Sequence, residues 1–261
     1  MNSWLKNILW LSFVILIIVL MSFVKRSKNN RLMGLPTITI DMYKEQLFLN
    51  EADVLYKLMD KQLVGEDFKY SDINFEEIEA YLSSLNEISA VKVFANVGDE
   101  WGIHIALRQP IARIFNLDGS SCYIDKDGSL MPLSDNYVAH VLTINGFVNE
   151  TNFNKNIIDV MNNDSLKTIE IIDDLYDISN YVCSDKFFSS QITHVYVNAN
   201  KEFEFIPRVG RQRILFGSSE DLTGKFKKLK VFYKEGMAKA GWGKYDTINV
   251  KYKNQIVCSK R

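Results

Sequence analysis

From Ile8 to Val24 the chain reads ILWLSFVILIIVLMSFV, seventeen residues in which only Ser12 and Ser22 interrupt the apolar run. At a rise of about 1.5 Å per residue, a helix of that length just crosses the hydrocarbon core of a bilayer. A cleaved secretory signal would need small residues at its processing site. Here the span runs directly into Val24-Lys25-Arg26-Ser27-Lys28-Asn29-Asn30-Arg31, so an uncleaved anchor is expected. Residues 1–7 then form a short tail, 8–24 the transmembrane helix and 25–34 a juxtamembrane linker.

Beyond the anchor the period of the pattern changes several times. Pro36–Ile40 has the composition of a short strand. Asn50 is placed to cap a helix opened by Glu51 and Asp53, in which Val54, Leu55, Leu58, Met59 and Leu63 recur at helical spacing. A second helix starts at Asn74 with Glu77 in capping-box position, and its stripe is Phe75, Ile78, Tyr81, Leu82, Leu85 and Ile88. The period then drops to two. Val91, Val93, Ala95 and Val97 alternate with Lys92, Phe94 and Asn96, Gly98-Asp99-Glu100 turns the chain, and Trp101, Ile103, Ile105 and Leu107 alternate again. Residues 35–108 therefore read β-α-α-β-β, a small α+β domain.

Residues 109–261 read as a β-rich domain with two helices. Strands are expected at Ile111–Phe115, Ser121–Ile124, Ala139–Ile144, Thr193–Asn198, Glu202–Ile206 and Gln212–Phe216. One helix is expected from Leu166 to about Val182, with Leu166, Ile169, Ile172 and Tyr176 on one face. The other follows Ser218, which stands at capping distance from Asp221. Its stripe is Leu222, Phe226, Leu229, Tyr233, Met237 and Ala240, and Gly241 stops it. A last strand pair, Thr247–Lys253 and Gln255–Cys258, turns at Asn254.

Composition narrows the function. The net charge is −1, so no global field favours nucleic acid or an acidic polymer. The three cysteines, Cys122, Cys183 and Cys258, are odd in number and match neither a metal spacing nor a disulfide framework. His104, His140 and His194 are isolated, and no metalloprotease or nucleophile-elbow motif accompanies them. Asp125-Lys126-Asp127-Gly128 has the look of a calcium loop, but aligning Gly128 puts Tyr123 and Ser134 where acidic ligands are required, so a β-turn is expected. Gly217 to Gly224-Lys225 has the wrong spacing for a phosphate loop, and Lys225 is assigned to the solvated face of the long helix. No catalytic residue, metal, cofactor, small-molecule substrate or nucleic acid is expected.

The order of elements resembles the bacterial division protein family FtsQ, called DivIB in some lineages, over essentially the whole chain. Ile88–Val93 followed by Leu107-Arg108-Gln109-Pro110-Ile111-Ala112 resembles the exit of its POTRA domain, where the usual pattern is E-R-x-P-x-A and Leu107 here replaces the Glu. Tyr123-Ile124-Asp125-Lys126-Asp127-Gly128 resembles its hydrophobic-D-x-D-G strand and turn. Leu215-Phe216-Gly217, the long helix and Asp246–Tyr252 resemble its C-terminal helix and strand.

The resemblance implies a non-catalytic divisome scaffold in the cell inner membrane, single-pass, enriched at the septum and supporting septal peptidoglycan synthesis. It implies a cytoplasmic N-terminus and a periplasmic ectodomain, whereas positive-inside counting of Lys25, Arg26, Lys28 and Arg31 favours the reverse. The implied partners are FtsB- and FtsL-like coiled-coil proteins and other divisome membrane proteins, with residues 8–24 in the lipid bilayer. The competing readings are a POTRA-type factor of outer-membrane assembly or secretion and a membrane-tethered hydrolase.

A terminal strand leaves one row of backbone groups unpaired, which a partner segment can occupy. The partner site is accordingly expected on Thr247, Asn249, Lys251, Tyr252, Gln255, Ile256 and Val257, rimmed by Lys225 and Lys228. Alternation puts Ile248, Val250 and Tyr252 on one face, which is expected to pack on the helix's apolar stripe.

Overall fold

The computed structural model describes residues 3–41, 48–96, 100–134, 137–149 and 171–261. The chain divides into two compact units, Met1–Leu107 and Arg108–Arg261.

The first unit begins with helix α1, Ser3–Asn29, which is long and apolar enough to cross a membrane. Its apolar side chains from Trp10 to Val24 are exposed in the isolated chain. The helix does not stop at Val24. Residues 25–29 are good helix formers or neutral, and Arg26 and Lys28 in the last turn complement the negative end of the helix dipole. The expected juxtamembrane linker, residues 25–34, is thus helical to Asn29 and then strapped down. Tyr70 N–H donates to Arg31 O at 2.9 Å, Met33 N–H to Phe68 O at 3.0 Å, and the Trp101 indole N–H to Gly34 O at 3.1 Å. Met33 is buried among the core residues of this unit.

That core lies under a three-stranded sheet of order β1-β3-β2, from β1 (Thr37–Asp41), β2 (Ile88–Ala95) and β3 (Trp101–Leu107). β1 pairs parallel to β3 and β2 antiparallel to it. Two helices supply the rest. α2 (Glu51–Asp60) carries a complete capping box: Asp53 N–H donates to Asn50 Oδ1 at 2.8 Å and Asn50 N–H to Asp53 Oδ2 at 3.2 Å. α3 (Phe75–Ser83) is capped by Asn74, which accepts from Glu77 N–H at 3.3 Å. Val54, Leu58, Ile78, Leu82, Ile103 and Ile105 are fully buried together.

Two details differ from the pattern. Ile88 opens β2 instead of ending the helical stripe, because α3 stops at Ser83. The turn expected at Gly98-Asp99, with Val97, lies outside the described residues. Glu79 on α3 accepts the Val93 N–H on the outer edge of β2 at 2.7 Å, so a carboxylate occupies that edge donor.

The second unit is built on a nine-stranded mixed sheet. Its strands are β4 (Pro110–Phe115), β5 (Ser121–Asp125), β6 (Leu130–Met131), β7 (Leu142–Gly146), β8 (Ile192–Val197), β9 (Phe203–Pro207), β10 (Arg213–Gly217), β11 (Tyr245–Asn249) and β12 (Val257–Lys260). Their order across the sheet is β12-β11-β10-β9-β8-β7-β4-β5-β6. β7 lies parallel to both neighbours, and β10 parallel to β11.

Three main helices share its core: α4 (Ile172–Ser184), α5 (Lys186–Gln191) and α6 (Leu222–Val231). The expected start of the first of these at Leu166, with Ile169, lies outside the described residues. α5 was not anticipated. Its signal is Asp185, which ends α4 and accepts from Phe187 N–H at 2.9 Å and Phe188 N–H at 3.2 Å.

The long helix departs from its expected cap. Asp221 adopts the left-handed conformation at φ 49° and makes no side-chain cap, so the Ser218–Asp221 pair does not form a capping box. After Val231 the helix continues as a π-helical turn, Phe232–Met237, and a last short turn, Ala238–Ala240. Phe226, Leu229, Tyr233 and Met237 are buried. Phe226 stacks on Tyr181 at 4.2 Å between ring centroids and lies 4.8 Å from Phe188 and 4.9 Å from Phe216. Gly241, at φ 88°, ends the helix where an L side chain would be strained.

Candidate functional site

The C-terminal strands lie at one edge of the nine-stranded sheet, but their bounds differ from the expected ones. β11 ends at Asn249, and Lys251 and Tyr252 fall in the connection, which reverses at Asn254 with φ 64°. Gln255 and Ile256 lead into β12. β11 cannot be the free edge, because it pairs with β10 on one side (Arg213 opposite Thr247, Leu215 opposite Asn249) and with β12 on the other (Ser259 opposite Thr247, Val257 opposite Asn249). Thr247 and Asn249 are therefore paired on both sides. The open row belongs to β12, whose Val257, Ser259 and Lys260 are exposed, while Cys258 packs inward. Ile248 and Val250 are buried in the core with Phe226 and Leu229, as alternation requires, but Tyr252 is exposed.

The lysines expected to rim this edge have individual fates. Lys225 is not on the solvated face: it is buried, its ammonium donates to Ser218 O at 2.9 Å, and it lies 5.3 Å from the Phe216 ring. It stands one position before Phe226 and four before Leu229, so the helix turns it inward with the stripe, and burial lowers its pKa. Lys228 reaches across to the strand connection and donates to Val250 O at 3.1 Å and Tyr252 O at 2.5 Å. It anchors the segment that enters β12. Lys230 pairs with Asp185 at 2.6 Å.

Lys251 is committed as well. A Cβ on Gly217, which sits at φ 79°, would lie 2.7 Å from the Lys251 side chain, so the glycine lets that side chain pass over the backbone. The ammonium then reaches Glu202 at 3.1 and 3.2 Å. The hydrogen bond from Lys251 is the main reason the Glu202 carboxyl titrates below its usual range.

Beside β12 is a groove of about 730 Å³ between the long helix and the strand connection. The helix contributes Lys227, Lys228, Val231, Phe232, Glu235 and Lys239, and the connection contributes Asn254, Gln255 and Ile256. Val231 and Phe232 were missed in the sequence although the signal was there: they are apolar residues off the buried stripe, and Val231 is 49% exposed. The groove combines apolar lining from Val231, Phe232 and Ile256 with Lys227, Lys228 and Lys239, and its connection side leads into β12.

A second arrangement holds the entry to this unit. Asp125 is fully buried in a turn closed by Gly128 at φ 74°. Its carboxylate accepts from Arg108 Nη1 at 2.8 Å, from Asp127 N–H at 3.0 Å and from Ser129 N–H at 2.6 Å. Burial raises its pKa, while the Arg108 and Ser129 hydrogen bonds act the other way. The segment is thus a β-turn organised by an ion pair. Two of the three histidines are engaged in polar pairs: His104 with Asp41 at 3.0 Å, and His194 Nε2 with Asn145 Oδ1 at 2.8 Å. Among the described residues no group of three or more His, Cys, Asp or Glu side chains is placed to hold a metal.

No curated protein matches the sequence. A family model described as "FtsQ/DivIB, C-terminal related" matches residues 109–259, from the residue after Arg108 to within β12. That stretch covers more than half of the chain and contains the Asp125 turn, the Gly217–Lys251 crossing and the terminal strands, and on it the chain belongs to the FtsQ/DivIB family.

Proposed function

We propose that this chain is a non-catalytic, single-span scaffold of bacterial cell division that recognises partners by strand addition at β12. Family membership gives the role in cell division. The observation that carries the finer reading is the open edge: β12 is terminal in the sheet, pairs only with β11 among the described strands, and is flanked by the groove. Backbone bonds along the edge would supply affinity and the groove specificity. Partners of the FtsB/FtsL coiled-coil kind, acting in septal peptidoglycan synthesis, fit this reading. So does a POTRA assignment for the first unit, whose β-α-α-β-β order and central β3 support it. The same reading puts the N-terminus in the cytoplasm and both folded units outside.

The test is photo-crosslinking from position 231, in the groove beside β12, in membranes carrying the full chain. Adducts with small single-span coiled-coil proteins are expected, and are expected to disappear when the chain ends at Asn254 or carries Val257→Asp. Hydrogen exchange on the α6 core verifies that the second unit stays folded. Undiminished capture by both variants would move the site off β12. A C-terminal reporter active only in the cytoplasm would reverse the topology.

A further inference from the structure

The junction between α1 and the first unit carries a surface that the strand-addition reading does not use. No Asp or Glu occurs before Asp41, whereas Lys25, Arg26, Lys28 and Arg31 follow the apolar run within seven residues. Because α1 continues unbroken to Asn29, Lys25, Arg26 and Lys28 rise about 1.5 to 6 Å beyond Val24. The headgroup layer on each side of the hydrocarbon core is about 5–7 Å deep, so with Val24 at the end of the hydrocarbon core these cations would stand inside it. At about 100° per residue they point to different sides of the helix.

The folded unit is held at the same level. The strap from Arg31 to Gly34 is hydrogen-bonded to Phe68, Tyr70 and Trp101, and Leu32 forms a β-bridge with Lys69. Lys28 Nζ sits 4.5 Å from the Tyr70 ring centroid. Lys69 is exposed, and so is Leu32, an apolar side chain suited to the interface. The Asp72 carboxylate in the same turn accepts from Lys69 N–H at 3.1 Å and from the Ser71 hydroxyl at 2.9 Å.

We propose that this junction is a collar for anionic phospholipid headgroups, with Lys25, Arg26 and Lys28 meeting lipid phosphates and the strap fixing the first unit against the bilayer surface. A bilayer is favoured over a soluble polyanion because the cations are continuous with an apolar span that requires lipid around it. Binding of this kind does not depend on which leaflet the collar faces.

The experiment reconstitutes the full chain in phosphatidylcholine vesicles containing trace spin-labelled lipid and compares the motionally restricted fractions of labelled phosphatidylglycerol and labelled phosphatidylcholine. The expected result is a preference for phosphatidylglycerol of about fivefold, falling as salt is raised. The combined substitutions Lys25→Gln, Arg26→Gln and Lys28→Gln are expected to bring the preference to about one. The same amount of restricted phosphatidylcholine would show that the span still inserts. Equal partition in the unaltered chain would overturn the proposal, as would a preference that survives the triple substitution. Absence of lipid preference together with polyglutamate binding in pure phosphatidylcholine would assign the collar to a soluble polyanion instead.

Discussion

Replacing Phe226 with Ala tests how the second unit is held together. The side chain is fully buried, with the rings of Tyr181, Phe188, Phe216 and Phe205 at 4.2, 4.8, 4.9 and 5.8 Å. These rings come from α4, α5, β10 and β9, so a cavity here lies between the long helix, its neighbours and the sheet. Truncation of a buried Phe to Ala costs about 3–5 kcal/mol, and four surrounding rings that cannot all collapse inward argue for the upper half of that range. For a domain of about 150 residues each kcal/mol moves Tm by about 2–4 °C, so a drop of about 8–20 °C is expected. Chemical denaturation followed by Trp242 fluorescence gives the free energy, and hydrogen exchange locates the loss on β9 and β10. Val231→Ala, at an exposed position on the same helix, should cost less than about 0.5 kcal/mol. A Phe226→Ala midpoint indistinguishable from that control would refute the aromatic core.

Gly217→Ala should destabilise by about 1–3 kcal/mol, from the positive φ and the collision with Lys251; denaturation of Gly217→Ala with and without Lys251→Ala separates the two causes. Asp125→Ala should cost about 2–4 kcal/mol by stranding Arg108 and two backbone donors, and Asp125→Asn, which keeps an acceptor for the turn, should cost less by the same measurement. Burial lowers the His194 pKa, so the folded state resists a proton that the unfolded state accepts below about pH 6.5. Stability from this residue is present above that pH and lost on acidification; denaturation midpoints at neutral and mildly acidic pH should converge for His194→Gln relative to the unaltered chain.

Elements whose signal is local were legible in the sequence. The caps at Asn50 and Asn74, the apolar stripe through Phe226, Leu229, Tyr233 and Met237, and the alternation along β3 each reappear in the structure. What local signals cannot carry is pairing between distant segments. Nothing near Asp125 announces that Arg108 will reach it, and nothing near Lys251 announces Glu202. Lys225 is expected in water because a lysine on a helix usually lies on its solvated face; the turn that begins at Ser218 instead supplies the carbonyl that it needs. The C-terminal edge failed in a related way. The period-two pattern runs on from Thr247 to Lys253, but Lys228 takes the carbonyls of Val250 and Tyr252, and the ladder ends early.

The shortness of β12 sets a ceiling on what edge pairing alone can achieve. Four residues, Val257–Lys260, offer about four outward backbone groups, whatever the length of the incoming segment. At a net 0.5–1.5 kcal/mol each, they supply about 2–6 kcal/mol, short of the roughly 8 kcal/mol of a micromolar complex. A partner gripping only this edge would come and go rapidly. On the proposed reading, lasting occupancy would require side chains in the neighbouring groove, and residence time and register would then answer to different residues and could be tuned separately by mutation.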